Sequence, residues 1–308
     1  MADQVIAIFG PTASGKSAVA EEIARRMPAD LVSADSMQVY RGLPVLTNQS
    51  EARLVGIWEL DHEASLGEYQ ELAHAAVDEI LAAGRTPVVV GGTGLYLRAA
   101  LADLELPPAA EPGTRERLER LYDELGGERT HELLADRDPA AAASVHPNDR
   151  RRVVRALELA EVGSSLKPDA DRLWTGGTRH PTLIVGLELP REELRRSIEE
   201  RTREMFERGV EEEVRRALAA PISRTARHIH GLREVGELPR EEAIEALVTR
   251  TQRYAVYQLR WLRRIPGVVS LNAERTPGEL ADEILEMARS RQRLPARGAG
   301  GAERSADA

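Results

Sequence analysis

The sequence predicts an α/β fold: a parallel sheet flanked by helices, with a helical insertion domain set into it. Three observations predict it. Short, continuously apolar runs alternate with segments of helical spacing between residues 5 and 90; the loop after the first run is glycine-rich; and from Thr114 to about Gly163 only helical patterns occur. Parallel strands are covered on both faces and so read as unbroken apolar runs, and each strand-to-strand connection needs a crossover helix.

Taken in order, Val5-Ile6-Ala7-Ile8-Phe9 reads as a buried strand, and Lys16 to Met27 as a helix turning Ala18, Val19, Ile23 and Ala24 inward. A second strand ends at Leu31-Val32-Ser33. Residues 67 to 83 are helical by the spacing of Leu72, Ala76 and Ile80; Gly84 stops that helix, and Pro87-Val88-Val89-Val90 is the third strand. The helical insertion follows, and Ser164 to His180, polar and rich in Gly, Asp and Arg, reads as a loop. Pro181 to Leu187 resumes strand character. A long helix begins near Pro190 with Leu194, Ile198, Met205 and Val214 on its apolar stripe, another covers Arg240 to Arg264, and Gly267 to Leu271 can form a last strand. From Arg289 the chain is polar and rich in Ala, Gly and Arg, and is expected to be disordered. The expected division is therefore a core of residues 1–104 and 181–288, an insertion with its loop at 105–180, and a tail at 289–308.

The loop after the first strand is Gly10-Pro11-Thr12-Ala13-Ser14-Gly15-Lys16-Ser17. A G-x-x-x-x-G-K-[ST] loop between strand and helix wraps backbone N–H groups around phosphate oxygens, sends its Lys to the terminal phosphates and offers its Ser hydroxyl, here Ser17, to Mg²⁺. This makes the expected fold P-loop NTPase-like. Ser33-Ala34-Asp35-Ser36-Met37-Gln38 lies at the C-terminal end of the second strand, the edge at which open α/β sheets bind ligands. Asp35 there suits a metal's water shell, a general base or a turn cap. Gly91-Gly92-Thr93-Gly94 reaches the same edge, where its glycines permit close backbone approach and Thr93 offers a hydroxyl or a helix cap.

In the insertion, His146-Pro147-Asn148-Asp149 opens a helix on which Arg151, Arg152 and Arg155 share one face, with Val153, Leu157 and Ala160 opposite. Such a face is either a solvated surface or a seat for a phosphate backbone. The formal charge of −9 argues against broad adhesion to nucleic acid but leaves room for one local basic surface. The absence of cysteine excludes disulfides, thiolate chemistry, cysteine-ligated zinc and iron–sulfur clusters, and the seven His residues form no metal-binding pair of the H-E-x-x-H kind. No long apolar run or secretory start is present, so a cytoplasmic protein with no membrane association is expected.

Together these motifs resemble the tRNA dimethylallyltransferases, or tRNA isopentenyltransferases, in their bacterial form, over nearly all of residues 4 to 272. The marks are G-P-T-A-S-G-K-S at 10 to 17, D-S-M-Q-V-Y-R-G at 35 to 42, G-G-T-G-L-Y-L at 91 to 97, H-P-N-D-R-R-R-V-V-R-A-L-E at 146 to 158, R-T-R-E-M-F-E-R-G at 201 to 209 and R-Y-A-V-Y-Q-L-R-W-L-R at 253 to 263. The resemblance implies transfer of a dimethylallyl group from dimethylallyl diphosphate to the exocyclic amine of the adenine 3′ to a tRNA anticodon. It also implies roles: Asp35 as base, Thr93 as donor near the bridging oxygen, Lys16 and Arg201 as diphosphate cations, and Mg²⁺ beside Ser17. Asp35 to Gln38 (with Ser36 and Met37), Thr93, Arg115, Arg151, Arg152 and Arg155 would face tRNA, and a monomer is the default expectation. The chain departs from the family where G-T-A-K-P is usual, reading Leu46-Thr47-Asn48-Gln49, where a His pair is usual, reading Ala52-Arg53, at Leu232 for Tyr, at Ser197 for Arg and at Arg151 for Gln. Two other readings of the loop remain: a P-loop small-molecule kinase using ATP, with the Arg-rich insertion as its lid, and a nucleotide-gated RNA-binding module without covalent chemistry.

Overall fold

In the computed structural model, which describes residues 4–107, 110–111, 113–166 and 177–293, β1 (Val5–Phe9) is buried at every position, as its unbroken apolar run requires. It lies at the centre of a five-stranded sheet of order β2-β3-β1-β4-β5, formed with β2 (Ala29–Ser33), β3 (Thr86–Gly91), β4 (Thr182–Glu188) and β5 (Val269–Asn272). Every pairing is parallel, with Ile6 opposite Val88 on one side of β1 and Leu183 on the other. The C-terminal ends of β1, β2 and β3 therefore come together on one edge.

Helix α1 (Lys16–Arg26) buries Val19, Ala20 and Ile23 against the sheet, Ala20 taking the inward place expected of Ala18. Helix α2 (Leu66–Ala82) opens on a capping box made by Ser65 and Glu68 and buries Tyr69, Ala73, Ala76, Val77 and Ile80. Leu72, expected on that stripe, points outward at 41% exposure. Helix α3 (Gly94–Leu101) follows β3 directly.

The helical insertion runs from Asp103 to Gly177 as its own compact unit, somewhat earlier at both ends than the 105–180 expected. Thr178 to His180 belong with the sheet: the Arg179 N–H donates to Leu101 O at 2.8 Å, and Arg179 and His180 both hold Asp78 of α2. Within the insertion, α4 (Thr114–Leu125), α5 (Gly127–Arg137), the short α6 (Pro139–Ala142) and α7 (Arg150–Glu161) enclose Leu118, Leu134, Val153, Val154 and Leu157. Asp149 caps α7 by accepting the Arg152 N–H. Of the expected loop, residues 167–176 lie outside the described residues.

After β4 the expected long helix is broken in two. Gly209 takes φ 84°, a conformation that favours glycine, and separates α8 (Arg191–Glu207) from α9 (Val210–Leu218); Leu194, Ile198 and Met205 are buried on the first and Val214 on the second. A single 3₁₀ turn (Ala226–His228), α10 (Leu232–Glu237) and the long α11 (Arg240–Leu262) complete the layer.

The tail expectation also needs correction. Helix α12 (Pro277–Arg293) carries the backbone through Arg289, and its Leu280, Ala281, Ile284, Leu285 and Ala288 are buried with Ile6, Ile23 and Leu183 in the main core. The polar composition after Arg289 concealed the preceding stripe; residues 294–308 lie outside the described residues. Ile284→Ala should lower unfolding free energy by about 2–5 kcal/mol in urea titration, whereas a loss under about 0.5 kcal/mol would mean that α12 is not part of the core.

Candidate active site

The end of β1 delivers a glycine-bounded loop that leads directly into α1. Ala13 (φ 65°) and Gly15 (φ 81°) turn the loop so that α1 begins at Lys16. The first N–H groups of a helix have no intrahelical partner, and here no side chain caps them and no acid stands in the first turn. The Ser14 hydroxyl is buried without a hydrogen-bond partner. Lys16 Nζ turns back on the loop, donating to Pro11 O at 3.0 Å.

One cleft at this edge is lined by Thr12, Lys16, Ser17, Asp35, Met37, Gln38, Arg201 and Tyr254. Burial lowers the Lys16 pKa to about 8, with Asp35 opposing and Arg201 adding to the fall. Burial likewise lowers that of Arg201, and its Nε has no partner. Two desolvated cations facing one cavity with unsatisfied donors form a site for a polyanion. Ser17 and Asp35 bring oxygen donors to the same cleft, and among the described residues no cluster of three or more His, Asp or Glu could hold a metal by itself. That donor set suits Mg²⁺ arriving on phosphate oxygens, since Mg²⁺ keeps much of its water and needs few protein ligands.

Asp35 is half-buried; its Oδ1 accepts the Met37 N–H at 2.9 Å. Thr93 stands at the N-cap of α3 yet makes no capping bond. Its hydroxyl lies 3.3 Å from both Ser36 Oγ and Tyr254 Oη and accepts weakly from the Ser36 N–H at 3.4 Å. The cap reading of Thr93 therefore gives way to one that ties the β2 and β3 ends together. Tyr254 is held above the ordinary tyrosine range, chiefly by burial and then by Asp35, so its hydroxyl remains a donor. His230 packs edge-on to it at 4.4 Å, and burial, with Arg250 nearby, pushes the imidazole down to about 4, hence neutral at pH 7.

Gln38 lines the cleft, but its amide is engaged inside the protein: Oε1 accepts from Ser33 Oγ, and Nε2 donates to Thr47 and Asn48 carbonyls. Three of the residues at which the sequence departs are tied into the fold. Gln49 donates to Tyr40 O, Arg53 joins the edge of β2 through a bridge to Val32 and pairs with Glu79, and Leu232 is core. The least expected residue is Gln258. Buried in α11, it accepts the Thr12 N–H at 2.8 Å and donates to Gly92 O at 2.8 Å. A Cβ at Gly92 would stand 2.2 Å from its Nε2, and one at Gly91 2.1 Å from Ala34 O, which is why two glycines stand there.

In the insertion, the basic face is partly neutralised. Arg115 and Arg155 share the buried Glu158, and Arg150 pairs with Asp123. Arg151 and Arg152 are exposed, and among the described residues neither has an acid within ion-pair reach; they are the cations of that face available to a partner.

Fold and cleft together define a P-loop protein whose cleft carries two desolvated cations. The family model described as IPP transferase matches residues 38–265, and one described as isopentenyl transferase matches residues 3–54. The chain is 40% identical over 284 residues to the tRNA dimethylallyltransferase of Thermobifida fusca, covering 86% of this chain and 88% of that one. It is 38% identical over 283 residues to that of Corynebacterium jeikeium, covering 87% and 91%. The solved structure of the full-length tRNA isopentenylpyrophosphate transferase from Bacillus halodurans is 30% identical, with TM-score 0.68, covering 94% of this chain and 97% of that chain. The chain belongs to the tRNA dimethylallyltransferase family, and is thus a prenyl transferase of tRNA rather than a P-loop kinase.

The depressed Lys16 pKa has a testable consequence for stability. Below about pH 8 the folded protein holds a desolvated cation; between there and the ordinary lysine value of about 10.4, the unfolded chain binds more protons, so this group's contribution to stability rises with pH. The difference in unfolding free energy between wild type and Lys16→Met should therefore grow in favour of wild type from pH 8 to 10, by urea titration at each pH. A difference independent of pH would contradict a desolvated Lys16.

Proposed function

We propose that this protein transfers the dimethylallyl group of dimethylallyl diphosphate to the exocyclic amine of the adenine immediately 3′ of a tRNA anticodon. The observation that carries the proposal is the cleft in which Asp35 shares a wall with Lys16 and Arg201 at an uncapped helix N-terminus. Family membership supports tRNA as the acceptor, and the paired desolvated cations support an allylic diphosphate as the donor.

The donor's diphosphate lies against the N–H groups of the Gly10 to Ser17 loop, with Lys16 and Arg201 on its oxygens. Negative charge grows on the bridging oxygen as the allylic C–O bond breaks, so these donors favour the transition state over the ground state. The Thr93 hydroxyl, which can accept from Tyr254 or Ser36, is free to give its own proton to that oxygen. An adenine amine cannot be reached inside a stacked strand, so the base is extruded into the cleft. Its nitrogen bonds to the allylic carbon, its proton passes to the Asp35 carboxylate, and inorganic diphosphate leaves. Ser17 would hold Mg²⁺ arriving on the diphosphate, and the ion would supply charge neutralisation to the leaving group. Arg151 and Arg152 suit the phosphates of the anticodon stem-loop.

The tRNA acceptor suits a cytoplasmic location. Among the described residues no helix is long and apolar enough to cross a membrane.

Asp35→Asn should lower kcat by about 10²–10⁴-fold while the tRNA dissociation constant stays within about threefold, read by single-turnover kinetics and filter binding. Equal losses in both would remove Asp35 as the base. Replacing Arg151 and Arg152 by Gln should weaken tRNA binding and flatten its dependence on salt; unchanged affinity and salt slope would dismiss the basic face.

A further inference from the structure

The cleft has an apolar side that neither phosphate binding nor proton transfer uses: Leu46, Ile198, Met205 and Leu247 line it together with the polar residues already described. Two of these converge on one backbone point. Gly231 sits at φ 92°, and a Cβ there would stand 2.6 Å from Leu46 Cδ1 and 3.2 Å from Leu247 Cδ1. The glycine is thus the floor on which both leucines rest.

Leu46 is also held from behind with unusual completeness. The N–H groups of Val45 and Leu46 donate, at 2.8 Å each, to the two oxygens of Glu213, a carboxylate only 4% exposed. Thr47 returns both its N–H and its hydroxyl to Leu43 O, and the Gln38 amide takes the carbonyls of Thr47 and Asn48. A segment with its polar groups satisfied by buried partners cannot shift without leaving them unsatisfied, so this wall cannot recede to admit a larger ligand.

Resting on the function proposed above, we propose that Leu46 and Leu247 form the end stop that sets the length of the prenyl donor, so that a five-carbon allylic chain is accepted and a ten-carbon chain is refused. A loose apolar pocket discriminates between chain lengths only weakly; a wall braced by Glu213 turns the extra isoprene unit into a steric clash. Truncating both leucines frees a volume comparable to that unit.

The test compares dimethylallyl with geranyl diphosphate on one anticodon stem-loop, reading both prenylated nucleosides by mass and taking the ratio of their kcat/KM values, which is insensitive to how much enzyme is folded. In wild type the geranyl-to-dimethylallyl ratio should be below about 0.01, and L46A/L247A should raise it by at least about tenfold. If the double variant does not fold, Leu46→Val and Leu247→Val should raise the ratio in the same direction by less. Glu213→Gln, which touches the wall from behind, should raise it too. A ratio unchanged in folded variants, or a wild type that uses both donors equally, overturns the end stop. A wild type that makes neither product overturns the prenyl-transfer reading itself.

Discussion

The active edge of this protein depends on one buried amide. Gln258 spans from the Thr12 N–H of the phosphate loop to the Gly92 carbonyl at the end of β3, and it can do so only because Gly92 has no side chain. The bond pair joins the loop after β1 to the turn that presents Thr93, and Thr93 in turn joins the Ser36 segment after β2. Three strand ends thus share one frame, supplied by a helix remote in sequence. Group transfer relies on holding reacting groups to within fractions of an ångström, and this frame fixes the three strand ends relative to one another.

On that frame the charges are left unbalanced. Most arginines of the core unit are met by acids, as Arg85 is by Asp30 and Arg250 by Glu234. Arg201 is different: its Nε is buried without a partner, and Lys16 spends its ammonium on a backbone carbonyl. Desolvated cations of this kind destabilise the free protein and are relieved by an anion. The same feature that weakens the empty fold therefore strengthens ligand binding, which is the usual relation between a preorganised site and stability.

Much of this was readable from sequence, and the division between what was and was not follows the range of the interactions. The phosphate loop, the Asp35 segment and the Gly91–Gly94 turn are local patterns in which strand, turn and helix signals lie within a few residues of each other. The roles of Gln258, Glu213 and Gly231 are set by partners far away along the chain, Gln258 by Thr12 and Glu213 by Leu46, and a lone Gln or Glu on a helix carries no mark of that. Gln258 follows Tyr254 by one helical turn and precedes Trp261 by almost another, a face too polar for core and too aromatic for surface; that mixture was the available signal. Gly209 was a visible break within a stripe that continued on either side, and the α12 stripe from Leu280 to Ala288 was overshadowed by the polar residues that follow it. The Arg151 to Arg155 face looked uniformly basic because helical spacing reveals which residues share a side but not that Glu158, buried beneath it, takes Arg155 and Arg115.

The cleft sets Lys16 and Arg201 on one side and Leu46, Ile198, Met205 and Leu247 on another, with the Asp35 carboxylate beside them. The most direct measurement is to incubate the purified chain with dimethylallyl diphosphate, Mg²⁺ and an unmodified anticodon stem-loop bearing adenine 3′ of the anticodon, then digest the RNA and weigh its nucleosides. The account predicts isopentenyladenosine at that position alone, with inorganic diphosphate released in equal amount. An RNA left unmodified while the donor remains intact would contradict it.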